Sequence, residues 1–234
     1  MSKTVAIVLS AGKGRRMNSD TPKQYMNVAH KPVLYYSVSA FQSSYVDEIV
    51  IVCGEGDEKY IKEEIVDKYS LSKVTKIVTG GAERYHSVYK GLEAANGDYV
   101  LIHDGARPLI TKEVIDRIRQ TLESEGGCVA AVPVTDTIKI VDPEGKVIST
   151  PDRKTLWAMQ TPQAFPYEEI KTAYRMLINK EEETLKKGIN ITDDAMVAEY
   201  FGGHDVKVVM GDYNNIKITT LKDLDFAESI LSKI

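Results

Sequence analysis

The sequence predicts an α/β protein built on an open, mostly parallel sheet with helices on both faces. Apolar segments of strand length recur without polar alternation, as expected of strands covered on both sides. Segments of helical period separate them from the first residues onward, which is the rhythm of parallel strands joined by crossover helices. Composition agrees: 43% hydrophobic and 27% charged residues over 234 positions suit a globular chain able to bury a sizeable core.

The elements follow in order. VAIVLS (5–10) is the first strand, and PVLYYSVSAFQSS opens a helix at Pro32. EIVIVC (48–53) is the second strand; DEKYIKEEIVDKY then sets Tyr60, Ile61, Ile65 and Tyr69 at three-and-four spacing. KVTKIV (73–78), the helix ERYHSVYKGLEAA and DYVLIHDG (98–105) continue the alternation. TKEVIDRIRQTLES is a helix with Thr111 as N-cap, followed by the strand CVAAVPV (128–134). The rhythm then changes. Residues 135–163 place β-branched residues around a DPEG turn, with Pro151 and Pro162 beyond it, which reads as an inserted β-hairpin arm. Helices near 167–187 and 193–201, strands at VKVVMG and NIKIT, and a final helix from Thr220 complete the chain. With no internal repeat or low-complexity linker, one domain spanning 1–234 is expected.

Charge and composition exclude several classes. A formal net charge of −4 argues against nucleic-acid binding. The first apolar run ends after about six residues, too short for a membrane span or signal core, so a cytoplasmic enzyme is expected. Cys53 and Cys128 lie within apolar segments and read as buried thiols in a reducing compartment.

The stretch LSAGKGRRMNSDTPKQY (9–25) carries the first functional signal. It is not a P-loop, which needs Lys-Ser or Lys-Thr after G-x-x-x-x-G, nor a dinucleotide fingerprint, which needs glycine where Met17 stands. Ligands of open α/β sheets sit at the carboxyl ends of strands, where this loop and HDGARP both fall. A crevice holding Arg15, Arg16, Lys23, Asp104 and Arg107 suits a polyphosphate, and one carboxylate suits Mg²⁺, which takes few protein ligands. Isolated loop arginines are commonly just solvated; their combination with Asp104 at a second strand end argues otherwise. His103 should point to the opposite face from Asp104 and is read as structural. A cationic site without an evident general base fits a nucleophile already ionised, such as a phosphate monoester with second pKa about 6.

LSAGKGRRM-x₄-PKQY, GGAERYHSV, HDGARP, VTDTIK, DRKTLWAMQTPQAF, ITDDA and NIKIT together resemble the 2-C-methyl-D-erythritol 4-phosphate cytidylyltransferase family, in order and over essentially the whole chain. The resemblance implies a Rossmann-like fold, an arm used for homodimerisation, Mg²⁺, and transfer of a cytidylyl group from CTP to methylerythritol phosphate. It implies that Arg16, Lys23 and Lys217 neutralise charge at the reacting phosphate. Ser10, Ala11, Gly12, Gly14, Gly81, Ala82, Ser87 and Gly105 would surround the cytidine. Asp104 would hold the metal and touch the polyol. Arg107, Thr137, Arg153, Thr161 and Thr192 would hold the methylerythritol phosphate, with Arg153 reaching a neighbouring subunit's site. Three positions depart from the family's usual pattern: Ser10 replaces alanine, Tyr85-His86 replaces Gln-Asp, and Ala82 replaces an acidic residue of some members. A cytidylyltransferase for another polyol phosphate, such as ribitol 5-phosphate, and a non-catalytic nucleotide-binding module remain alternatives.

Overall fold

The computed structural model describes residues 2–12 and 21–233. Among them, seven strands form one sheet: β1 (Thr4–Ser10), β4 (Glu48–Cys53), β5 (Val74–Thr79), β6 (Tyr99–Asp104), β7 (Cys128–Pro133), β10 (Trp157–Pro166) and β11 (Lys207–Met210). Their spatial order is β11-β7-β10-β6-β1-β4-β5. β10 runs antiparallel to both β6 and β7, while β1 pairs in parallel with β4 and β6. Two short ladders lie outside this sheet, β2 (Asn27–Val28) with β3 (Lys31–Pro32), and β8 (Ile140–Val141) with β9 (Val147–Ser149).

Helices cover both faces, because each central strand is apolar on both sides. One face packs under α1 (Val33–Gln42), the turns at 58–67 that begin as α2 (Glu58–Tyr60), and α4 (Lys112–Glu125). The other packs under α3 (Arg84–Ala94), α5 (Tyr167–Asn179) and the segment 194–202 that starts as α7 (Asp194–Val197). Thr111 caps α4 as its sequence predicts, accepting from the Val114 N–H. The helix expected over 167–187 breaks at Lys180 into α5 and α6 (Glu181–Lys186). α8 (Leu221–Leu231) packs over a third, smaller apolar cluster that includes Val28 and Ile218.

Two expectations change. The arm expected over 135–163 keeps its hairpin at β8 and β9, but from Trp157 onward the chain is a central strand of the sheet. Its register shifts between Met159 and Gln163, where Pro162 lacks the N–H a ladder requires. The segment NIKIT is not a strand. The Asn215 amide donates to the Thr161 carbonyl, Ile218 donates to the Ala106 carbonyl, and the alternation instead sends Ile216 and Ile218 into the small cluster.

Candidate functional site

β1 and β6 end side by side, Leu9 facing Asp104 in register. The chain order reverses here, with β4 and β5 to one side of β1 and β6 to the other, so the strand ends open a crevice at a topological switch point. Asp104 sits in it. Its Oδ2 accepts from Lys217 Nζ at 2.7 Å, its Oδ1 faces Arg84 Nε at 3.3 Å, and its backbone N–H donates to Thr161 Oγ1 at 3.1 Å. Burial alone would favour the neutral acid. The positive charges of Arg84 and Lys217 outweigh it and hold the carboxyl well below the usual carboxylate range. Asp104 is therefore a fixed negative charge.

Lys23 reaches the same place from the opening loop. Its Nζ donates to the Ile218 carbonyl at 2.6 Å, one residue beyond Lys217, so both lysines are held at the 217–218 segment. Gln24 is buried beside it and donates to the Ser10 and Gly12 carbonyls at 2.7 and 3.1 Å, which ties the PKQ turn to the end of β1. Thr161 is placed by the irregularity in β10 and by His103, whose Nδ1 lies 3.0 Å from its hydroxyl. His103 itself is fully buried against the Phe41 ring, and burial lowers its pKa to about 4, so it stays neutral.

Arg84 and Asp194 carry much of this geometry, yet neither was singled out from sequence. Arg84 forks onto Asp194 through two bonds of 2.7 Å, and Asp194, fully buried, also accepts from the Tyr174 hydroxyl. The two attractive carboxylates outweigh burial and hold the guanidinium well above its ordinary value. Asp193 caps α7 and accepts from Gln163, and Gln163 in turn accepts the Ala195 N–H. The only sequence signal for this pair was its presence in the GGAERYHSV and ITDDA motifs.

A second group of expected residues gathers on the other side of the β1 loop. A Cβ built on Gly80 would lie 2.6 Å from Ala11 Cβ and 2.7 Å from Ser87 Oγ, so only glycine allows this approach. Gly81 donates its N–H to Ser87 Oγ at 3.0 Å. Ala11, Gly81 and Ser87 are thus neighbours, with Ala82 exposed beside them and Gly12 exposed at the loop. Gly105 donates to the Leu9 carbonyl, and Ser10 Oγ lies 3.4 Å from the Tyr25 hydroxyl.

Arg107 donates to the Asn215 carbonyl at 2.7 Å, bracing the segment that carries Lys217. Thr137 and Arg153 are exposed on the arm, where Arg153 donates to the Thr135 carbonyl, and Thr192 is exposed near α7. These three are outside the network joining Lys23, Asp104, Thr161 and Lys217. Gly14 and Arg16, with Arg15, lie outside the described residues. Counting Lys23, Arg84, Arg107 and Lys217 against Asp104 and Asp194, cations exceed carboxylates by two, which suits a polyanion. A cavity of about 430 Å³ elsewhere, between the 58–66 turns and β5, holds none of these residues.

Comparison with known proteins gives the family and the fold. A family model described as 2-C-methyl-D-erythritol 4-phosphate cytidylyltransferase matches residues 4–233. Proteins of that name from Lachnoclostridium phytofermentans and Alkaliphilus oremlandii are 47% and 46% identical, each over 99% of this chain and over 97% and 96% of their own length. The crystal structure of a 4-diphosphocytidyl-2C-methyl-D-erythritol synthase from Anaerococcus prevotii superposes with a TM-score of 0.82 at 34% identity, covering 98% of this chain and 96% of that one. A 2-C-methyl-D-erythritol 4-phosphate cytidylyltransferase from Thermus thermophilus superposes with a TM-score of 0.75 at 27% identity, covering 97% and 98%.

Proposed function

The chain belongs to the 2-C-methyl-D-erythritol 4-phosphate cytidylyltransferase family, and from that membership we propose how its residues carry the reaction. The enzyme transfers a cytidylyl group from CTP to 2-C-methyl-D-erythritol 4-phosphate in the isoprenoid pathway. A phosphate oxygen of the polyol substrate attacks the α-phosphorus, the bond to the bridging oxygen of the β-phosphate breaks, and pyrophosphate leaves. The nucleophile has a second pKa of about 6 and is largely ionised at neutral pH, so no protein base is required. The chain's task is positioning and charge.

The observation that carries this reading is the meeting of Lys23 and Lys217 at one segment beside the ionised Asp104. Both ammonium groups would face the phosphorus oxygens on which negative charge builds. Lys217 is held there by Asp104 and so needs little reorganisation when that charge develops. Arg16 would add a third cation from the loop. Ala11, Gly81, Ala82 and Ser87 would form the cytidine side, with Ser10, Gly12, Gly14 and Gly105 contributing backbone. Thr161 and Arg107 border Asp104 and would face the polyol phosphate, with Thr137, Arg153 and Thr192 closing on it.

Asp104 fits a magnesium site of one protein carboxylate: it is ionised, and its Oδ1 has only a 3.3 Å contact. Among the described residues no group of three or more His, Cys, Asp or Glu is gathered for a metal, so the remaining ligands would be phosphate oxygens and water. When bound, the ion would neutralise the triphosphate. Free, buried Cys53 and Cys128 suit a reducing cytoplasm, and among the described residues no helix is long and apolar enough to cross a membrane. The apolar side chains Ile140, Val141, Val147 and Ile148 stand exposed on the arm and support a homodimer in which a second copy covers them.

Pyrophosphate release with CTP, Mg²⁺ and either polyol phosphate tests the reading. Release with methylerythritol phosphate and not with ribitol 5-phosphate is expected. Release with ribitol 5-phosphate alone would overturn the substrate, and none with either would overturn catalysis.

A further inference from the structure

The loop at 80–83 enters α3 at Arg84 and carries Gly81 and Ala82. His86, in the first turn of the helix, holds that loop from beneath. Its Nδ1 accepts from the Glu83 backbone N–H at 3.2 Å, and its Cβ packs so closely under Gly81 that any side chain there would collide with it. An imidazole nitrogen that accepts a backbone N–H carries no proton, so the proton resides on Nε2. Nε2 donates to Glu181 Oε2 at 3.2 Å. The Tyr85 hydroxyl donates to the other oxygen, Glu181 Oε1, at 2.6 Å, and the two rings pack with centroids 4.5 Å apart.

Glu181 opens α6, where its neighbours behave differently. Glu182 and Glu183 pair with Lys186 and Lys187 one turn along the same helix. Glu181 alone of these three leaves its helix, and commits both oxygens to consecutive residues of α3. The Tyr85 hydrogen bond, the largest influence, holds its carboxyl below the usual range. Burial and Glu181 push the Tyr85 phenol up to about 12, which keeps it a donor at neutral pH. His86 and Glu181 are each about a quarter to a third exposed, so their contact adds little to global stability and acts mainly on local geometry.

We infer that Glu181 is a positioning residue for the nucleotide: through His86 and Tyr85 it fixes the 80–83 loop in the shape that receives CTP. The inference rests on the reading of Gly81, Ala82 and Ser87 as nucleotide contacts. It assigns a task to Tyr85 and His86, which the family resemblance singles out as departures, and to α6, which carries none of the other expected site residues.

Three readouts on the full-length protein test it: CTP KM against methylerythritol phosphate KM, a double-mutant cycle, and hydrogen exchange of the Glu83 amide without ligand. Glu181→Ala and His86→Ala should each raise the CTP KM about fivefold and leave kcat and the polyol-phosphate KM within about twofold. The double variant should be no worse than either single change, because both break one unit. Glu83 should exchange faster in each variant. Tyr85→Phe, which removes one hydroxyl and keeps the packing, should give a smaller change of the same kind. Unchanged exchange together with an unchanged CTP KM would overturn the inference alone. Faster exchange with an unchanged CTP KM would overturn the nucleotide reading of the loop, and the inference with it.

Discussion

Asp104 shows how one residue acquires its character from its neighbours. In isolation the strand-end carboxylate of HDGARP could equally be a turn former. In the fold it meets Arg84, Lys217 and the Thr161 hydroxyl, and the two cations overcome the cost of burial and make it a permanent anion. Lys217 is its most informative partner, because its side chain is 38% exposed and it supports little else. Lys217→Ala should lower kcat/KM by about a hundredfold, the cost typical of removing one donor to a developing anion. Thermal unfolding should move little, since Arg84 still faces the carboxylate. Steady-state kinetics beside a melting curve checks both, and a folded variant with near wild-type turnover would remove Lys217 from the site. Asp104 was legible because it ends a strand, Lys23 because it closes the basic glycine loop, and Lys217 only through the family motif NIKIT. Arg84 and Asp194 were not, because an arginine opening a helix and an aspartate in a polar run both read as surface residues.

At the scale of elements, the segment between β11 and α8 matters most. It read as a strand from its alternation, but it is an irregular crossing fixed at both ends. Asn215 and Arg107 hold its start. Asp223 in the first turn of α8 holds its finish, accepting from the Thr219 N–H, the Thr219 hydroxyl and the Thr220 N–H, each at 2.8 Å. Burial opposes ionisation of Asp223, but these bonds outweigh it and lower its pKa. A carboxyl with a lowered folded-state pKa stabilises the fold above the ordinary carboxylate range and loses that contribution as pH falls through the lowered value. Asp223→Ala should therefore cost about 1 kcal/mol at neutral pH, as for loss of a helix cap, and reduce turnover by loosening the approach to Lys217. Urea denaturation of both proteins at neutral and acid pH checks this. The gap between them should close in acid, and a gap independent of pH would show that Asp223 acts by packing.

For the whole molecule, the open question is how the arm is covered. Ile148 is 65% exposed, and Ile140, Val141 and Val147 stand near it, an arrangement uncommon on a lone soluble chain. If a second copy covers the arm as proposed, the protein should sediment as a dimer at micromolar concentration and Ile148→Asp should shift it toward monomer. Use of methylerythritol phosphate should weaken with it if Arg153 serves a neighbouring site; a wild-type monomer with full activity would overturn both. Much was determined by the sequence alone. The apolar runs specified the sheet and its two helical layers, since a strand apolar on both sides must be covered on both. The position of Asp104 at a strand end, and of the basic loop after the first strand, followed from the same pattern. Tertiary structure decided what local pattern could not. β10 joined the sheet and was not part of the arm, because its partners β6 and β7 lie far away in sequence. Segment 215–219 bent away from strand geometry because Thr161 and Ala106 offered better partners than a ladder. The Arg84–Asp194 fork joined residues 110 positions apart. Periodicity reports what each segment must bury; which distant groups neutralise one another is settled only when burial brings them together.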